Sequence, residues 1–260
     1  MLLAVDIGNT QTAFGIFNDA GELVYTGRIA TTSAKTPDEL AILIHSLFAR
    51  HSIETAAIDR VVIASVVPSL TSHWVELSRE LPADDILLVD AQRCGGLEIL
   101  LDNPAEAGAD RLANAIGAIQ RYGAPAIVVD FGTATNIDVI DGCSAYRGGV
   151  ISPGLETSAD ALFSHAARLS AVDLDPPERV IGSSTRQAIQ AGLMRGEAAK
   201  VDGLVSQVIE ELGAVSTPTV IATGGLAQIM APLCSSIAHI DSELTLCGLF
   251  EVARREESGI

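Results

Sequence analysis

The apolar residues of this chain gather in short runs closed by a polar residue, and two of those runs are near copies. Leu2 to Val5 ends in Asp6-Ile7-Gly8-Asn9-Thr10-Gln11-Thr12, and Ala126 to Val129 ends in Asp130-Phe131-Gly132-Thr133-Ala134-Thr135. Four apolar residues before an Asp predict a buried strand, and a Gly flanked by hydroxyl residues predicts a tight turn back into a second strand. After the first loop, Phe14 to Phe17 and Leu23 to Ile29 predict a hairpin about Asn18-Asp19-Ala20-Gly21. Thr36-Pro37-Asp38-Glu39 carries a helix start, with Thr36 as cap and Glu39 three residues on, for a helix to about Arg50. A strand over Arg60 to Val66, a helix from Ser69 to Arg79 and a strand over Asp85 to Val89 follow. An alanine-rich helix, Leu112 to Arg121, leads into the second copy: Ala126 to Thr135, Ile137 to Ile140, a turn at Asp141-Gly142, and Ala145 to Ile151. Helices, a late strand over Thr219 to Ala222 and a terminal helix over Leu249 to Arg255 complete it.

Strand, hairpin, hairpin, then helix and strand, occurring twice with Asp130 following Asp6 by 124 residues in a chain of 260, predicts an α/β protein made by duplication. The expected architecture is two ribonuclease-H-like domains, residues 1–113 and 114–260, with a carboxylate-bearing hairpin of each facing an active-site cleft between them. At 48% hydrophobic residues the chain can bury two cores of ordinary size.

Charge narrows the chemistry. Lys and Arg number 16 against 33 Asp and Glu, a formal charge of −17, so the mean field repels nucleic acid and anionic membrane surfaces. It also opposes a nucleotide, so an ATP site here must rely on Mg²⁺, local amides and a further cation. The apolar runs are too short to cross a bilayer, and the chain opens directly on a strand with no room for a signal peptide, so a soluble cytoplasmic protein is expected. Cys94, Cys143, Cys234 and Cys247 lack zinc-site spacing, and the five histidines, His45, His51, His73, His165 and His239, lie scattered away from the motifs.

A carboxylate at a strand end can anchor hydrated Mg²⁺, and turn amides and Thr hydroxyls can donate to phosphate oxygens. Either loop alone equally describes a plain hairpin with a turn Asp; the repeat favours the phosphate reading. Gly108-Ala109-Asp110-Arg111 opens the alanine-rich helix. An ionised Asp there can accept a proton from an attacking hydroxyl, and Arg111 can hold a carboxylate or phosphoryl group. The bland alternative is an Asp that complements the helix dipole beside an ordinary salt bridge. Gly148-Gly149-Val150-Ile151-Ser152-Pro153-Gly154 allows close backbone approach, or is a turn at a strand edge. Thr223-Gly224-Gly225, before Leu226 to Leu233, suggests adenosine or phosphate lying on a helix N-terminus. The small-residue stretch Gly182 to Gly203 suggests close-packed helices at a subunit interface.

In order, Asp6-x-Gly8-Asn9-Thr10, Asn103-Pro104 to Gly108-Ala109-Asp110-Arg111, Asp130-x-Gly132-Thr133-Ala134-Thr135, Gly148-Gly149-x-Ile151-x-Pro153-Gly154 and Thr223-Gly224-Gly225 resemble the type III pantothenate kinases over nearly the whole chain. The resemblance implies the fold of the acetate kinase, sugar kinase, Hsp70 and actin superfamily, a homodimer, and phosphorylation of pantothenate in the first step of coenzyme A synthesis. It implies Asp110 as base; Gly108, Ala109, Arg111, Leu101 and Thr185 as substrate contacts, Thr185 reaching the partner subunit's pocket; and Asp6, Gly8, Asn9, Thr10, Gly132, Thr133, Thr135, Gly224 and Gly225 as the ATP site. Asp6 would anchor Mg²⁺, and Asp130 would hold a monovalent cation, K⁺ or ammonium. Two positions depart from the pattern: Leu101 stands where a Tyr is common and Asn136 where a second Thr is common. Alternative functions are a catalytically silent binding or regulatory relative, a phosphohydrolase, and a kinase for another small hydroxy acid.

Overall fold

A computed structural model describes residues 1–32, 34–83, 85–166, 171–213 and 216–259. The chain divides into two compact units, Met1–Gln120 with Leu244–Ile260, and Arg121–Glu243. This differs from a single break at 113/114. The alanine-rich helix keeps nearly its full length in the first unit, and the terminal helix returns to that unit's sheet.

In the first unit, β1 (Leu2–Ile7), β2 (Gln11–Phe17) and β3 (Leu23–Ala30) form an antiparallel meander. Helix α1 (Pro37–Arg50) leads to β4 (Arg60–Ser65), and α2 (Pro68–Ser78) to β5 (Ile86–Leu88), giving a sheet of order β3-β2-β1-β4-β5. Strands β4 and β5 run parallel to β1. Helix α1 starts where its sequence says. Thr36 Oγ1 accepts from Glu39 N at 3.3 Å, and the Glu39 carboxylate accepts from Thr36 N at 2.8 Å. Its buried Leu40, Ile44 and Phe48 pack on one face of the sheet beside Trp74 of α2, with the Phe14 ring 5.9 Å from Trp74. Helix α3 (Ala109–Tyr122) follows a loop and a short 3₁₀ turn, Pro104–Glu106.

The second unit repeats the plan. Strands β6 (Ala126–Phe131), β7 (Ala134–Ile140) and β8 (Tyr146–Pro153) form the meander. Helix α4 (Leu155–His165) and a long helical run then intervene. The run begins as α5 (Thr185–Gln190), passes through π geometry at Ala191–Arg195, and continues as α6 (Gly196–Leu212). Strand β9 (Thr219–Thr223), the single turn α7 (Ala227–Met230) and β10 (His239–Ile240) complete a sheet of order β10-β9-β6-β7-β8, the same plan as the first. Both meanders carry a register shift at matching places, Ile16/Phe17 and Val139/Ile140. Met194, Ala198, Val201 and Val205 form the inward stripe of the long helical run against Ile127, Val129 and Ile137.

The terminal helix α8 (Leu244–Ser258) begins five residues before the expected Leu249. Gly248 does not break it; Gly248 lets it cross α3 at backbone distance. A Cβ at Gly248 would run into the Ala113 carbonyl, and one at Gly117 would stand 2.7 Å from the Leu244 carbonyl oxygen. Gly203, exposed on α6, has open space where a Cβ would go. We therefore expect Gly248→Ala to lower stability by about 1–3 kcal/mol through overpacking. Gly203→Ala should raise it by about 0.5–1 kcal/mol through helix propensity. Thermal denaturation of the two variants checks this, and equal effects would contradict the crossing.

Candidate active site

Asp6 sits at the end of β1, paired through the backbone with Ala13 on β2 and Ala64 on β4. The flanking strands take up the backbone groups, so the carboxylate is what the strand end offers for chemistry. The turn beyond it closes through Gly8 N donating to Gln11 O at 3.1 Å. Thr31, directly after β3, backs that turn. Its N–H donates to Thr10 O at 2.9 Å, its hydroxyl to Gly8 O at 2.8 Å, and it shares a 2.9 Å hydrogen bond with the Thr12 hydroxyl. Asn9 and Thr10 are thereby held exposed at the tip. The sequence reading missed Thr31, because its partner carbonyl lies 23 residues away.

Asp130 holds the equivalent place on β6, paired with Asn136 on β7 and Thr223 on β9. This hairpin turns through Gly132–Ala134, one residue fewer than Gly8–Gln11. Gly132 N donates to Ala134 O at 3.0 Å. The Thr133 carbonyl accepts from Gly154 N at 3.1 Å and from the Thr157 hydroxyl at 2.6 Å. Gly154 must be glycine for this approach, since its Cβ would collide with the carbonyls of Gly132 and Thr133. Gly224, at φ +91°, lies against the Asp130 carboxylate, in the space a Cβ would fill. The helical stretch expected over Leu226 to Leu233 after Gly224 and Gly225 is one α turn, α7, continued by a 3₁₀ turn over Ala231–Leu233 that contains Pro232. The Asn136 Oδ1 is a buried acceptor with no hydrogen-bond partner among the described residues.

Thr135 is 1% exposed, and its hydroxyl donates to Glu197 Oε1 at 2.6 Å. It supports the hairpin from beneath and does not line its tip.

Asp110 lies in the first turn of α3, and its Oδ1 accepts from the Arg111 N–H at 2.9 Å. A Cβ on Gly108 would stand 2.5 Å from that oxygen, so the glycine clears room for the carboxylate. Burial pushes the Asp110 carboxyl above the ordinary carboxylate range; the Arg111 backbone N–H and guanidinium pull it back only in part. The half-buried Leu101 precedes the Asn103 cap of the 3₁₀ turn, and Ala109 is buried as the first residue of α3. Thr185 is exposed at the first position of α5, behind the Ser184 cap. The first unit thus carries Asp6, Gly8, Asn9, Thr10, Leu101 and the Gly108–Arg111 segment, and the second carries Asp130, the Gly132–Thr135 hairpin, Thr185, Gly224 and Gly225. Among the described residues no group of three or more His, Cys, Asp or Glu is placed to hold a metal ion. Fewer than three such side chains leave the rest of a Mg²⁺ shell to waters and substrate phosphates, which is how that ion is commonly held.

A family model described as type III pantothenate kinase matches residues 2–207. The type III pantothenate kinase of Desulfosudis oleivorans is 46% identical over 250 residues, covering 96% of this chain and 97% of the relative. That of Frankia alni is 44% identical over 249 residues, again covering 96% and 97%. Among solved structures, component A of the (R)-2-hydroxyglutaryl-CoA dehydratase of Acidaminococcus fermentans matches with TM-score 0.59 at 14% identity, covering 100% of this chain and 99% of that one. The ethanolamine utilization protein EutJ of Carboxydothermus hydrogenoformans matches with TM-score 0.55 at 15% identity, covering 96% and 88%. At such identities these likenesses speak for the fold alone, that of the actin-like ATPases and sugar kinases.

The raised Asp110 carboxyl has a consequence for stability. The folded state binds this proton more tightly than the unfolded chain, whose ordinary value is 3.8. Ionised Asp110 therefore weighs against folding at neutral pH, and the penalty is absent below the unfolded value, where both states are protonated. Asp110→Asn, which can still accept from the Arg111 N–H, should melt at a higher temperature than the parent at pH 7. The advantage should vanish as pH falls toward 4. Melting curves across that range check it, and a variant less stable than the parent at pH 7 would contradict the desolvation account.

Proposed function

The chain belongs to the type III pantothenate kinase family, and on that premise we propose how its residues divide the work. The reaction is the ATP-dependent phosphorylation of pantothenate to 4′-phosphopantothenate, the first step of coenzyme A biosynthesis. One observation carries the assignment of roles: both central strands end in a carboxylate beside an amide-bearing turn, and a third carboxylate, Asp110, is held on a helix start with its pKa raised.

Asp110 is the general base. Raising the carboxyl's pKa makes its ionised form a better proton acceptor than an ordinary carboxylate. It takes the proton of the pantothenate primary hydroxyl as the hydroxyl oxygen bonds to the γ-phosphorus and the bond to ADP breaks. Arg111, next in the chain, binds the substrate carboxylate or the charge of the transferring group, and Gly108, Ala109 and Leu101 shape the pantothenate contact. Asp6 anchors Mg²⁺ together with the nucleotide phosphates. Gly8, Asn9 and Thr10, with Gly132, Thr133, Gly224 and Gly225, supply amides and hydroxyls to ATP. Bound Mg²⁺ neutralises charge on the phosphates.

The second unit suits the monovalent cation, K⁺ or ammonium. The Asp130 carboxylate and the unpartnered Asn136 Oδ1 belong to directly paired residues of neighbouring strands. A carboxylate and an amide oxygen are hard donors of the kind such a cation takes. Asn136 thus replaces a hydroxyl without losing an acceptor. A homodimer is supported by the exposed apolar Val180 and Ile181, 70% and 88% exposed, just ahead of exposed Thr185. In a dimer, Thr185 serves the partner's substrate pocket.

A coupled ADP assay with Mg²⁺, ammonium and millimolar pantothenate, with product mass verified, tests the function on protein that sediments as a dimer. Product of the mass of 4′-phosphopantothenate is expected; folded dimer that binds ATP yet forms none would favour a silent binding relative. Asp110→Asn should lose at least about 100-fold in kcat while ATP binding stays near the parent value. Near-normal turnover would move the base elsewhere.

The cation assignment has its own test, at constant ionic strength. Turnover should be high in K⁺ or ammonium and low in Na⁺ or choline, and Asp130→Asn should flatten the difference. Potassium should also raise the melting temperature of the parent more than of Asp130→Asn. Equal rates in all four salts would overturn the assignment.

A further inference from the structure

Glu197 occupies a place where its helix otherwise buries apolar side chains. It lies three residues after Met194 and four before Val201, on the inward stripe of the long helical run, and is 5% exposed. A buried carboxylate there is costly, and an apolar residue of similar size at such a site is often as stable or more so. Its two oxygens are fully engaged. Oε1 accepts from the Thr135 hydroxyl at 2.6 Å, and Oε2 pairs with Lys200 Nζ at 2.7 Å. Lys200 Nζ also donates to Pro153 O at 3.1 Å, at the end of β8. The Thr135 carbonyl in turn accepts from the Ser152 hydroxyl at 3.3 Å. Two charges on α6 therefore grip β7, the strand that leaves the Gly132–Ala134 turn, by its second residue, and its neighbour β8 by its last.

We propose that Glu197 is a positioning residue for the nucleotide: anchored by Lys200, it fixes the Thr135 hydroxyl and so holds the amides of the Gly132–Ala134 turn where ATP phosphate is bound. This rests on the kinase reading above and assigns the turn a dedicated support. The bond is a charge-assisted one, short and directional, of the kind that fixes geometry within fractions of an ångström. An apolar residue at 197 would fill the space but leave the Thr135 hydroxyl buried without its acceptor, and the turn free to shift. The first hairpin has a neutral counterpart, the hydroxyl pair of Thr12 and Thr31 behind its turn.

The test separates positioning from mere stability. Thr135→Val keeps the shape but removes the donor, and Thr135→Ser restores it. Thr135→Val should raise KM for ATP on the order of 10-fold, the scale of one lost hydrogen bond to a charged group, with KM for pantothenate little changed. Thr135→Ser should return toward the parent. Lys200→Met, at a partly exposed position, should shift KM for ATP in the same direction by less. Adding Glu197→Gln to Thr135→Val should cause much less than the product of the two single effects, since both act through one bond. KM for ATP within about twofold of the parent in Thr135→Val, or Thr135→Ser as impaired as Thr135→Val, or multiplicative effects of the two substitutions, would each overturn the proposal. Calorimetric ATP binding to the parent and variants keeps the two readings apart. A parent that binds ATP but forms no phosphopantothenate counts against the kinase reading, while the variants' ATP affinities still judge the clamp.

Discussion

A strand that cannot slip fixes the chemistry of this protein. Strands β1 and β6 each lie third in a five-stranded sheet, with an antiparallel neighbour on one side and a parallel one on the other. Residues Leu2 to Val5 and Ala126 to Val129 are buried. Moving either strand by one residue would turn its whole alternation over, dragging Asp6 or Asp130 into the core position of Ile7 or Phe131. Register and burial together thus hold each carboxylate at a strand end, and the turn that follows must present its amides beside it.

The two copies lock it differently. The first turn, one residue longer, is backed by the neutral hydroxyls of Thr12 on β2 and Thr31 just after β3, and the carboxylate's partner across the antiparallel pair is Ala13. The shorter second turn is gripped by the ion pair of buried Glu197 with partly exposed Lys200, pressed by Gly154 and Gly224, and has Asn136 opposite its carboxylate. An alanine beside Asp6 leaves a single carboxylate, suited to an ion that keeps its waters and shares phosphate oxygens. An amide oxygen beside Asp130 adds a second protein donor, suited to an ion held more directly by the chain. Duplication supplied one frame, and divergence at Ala13 and Asn136 made two electrostatic environments from it.

What the sequence revealed follows the range of the interactions involved. Strands and hairpins were legible because apolar runs and turn residues are local signals, and the start of α1 because its cap and Glu39 lie three residues apart. Asp6, Asp110 and Asp130 were legible because each sits at an element boundary. The start of α8 was not, because Gly248 resembles a break until Ala113 of α3 is seen against it. The same return of α8 moved the boundary between units, which sequence order alone places in the middle. Glu197 and Thr31 stayed hidden because their partners are 62 and 23 residues distant. What the sequence did not show at Gly224 is its positive φ and its contact with Asp130, which depend on strands brought together across the sheet.

The net charge of −17 sharpens the question of how such a chain grips a polyanion. Lys200, the cation nearest the second turn in the hydrogen-bond network, is committed to Glu197 and Pro153. On the proposed reading its charge stiffens the turn, and what the turn itself offers phosphate is backbone N–H dipoles and hydroxyls. Dipoles act at short range and in fixed directions, so their value depends on how little the turn moves when ligand arrives. A diffuse positive field tolerates looseness, whereas a ring of amides does not. On the proposed reading, rigidity of the phosphate turns therefore works alongside the bound cations, and an ion pair with its carboxylate buried is a reasonable way to obtain it.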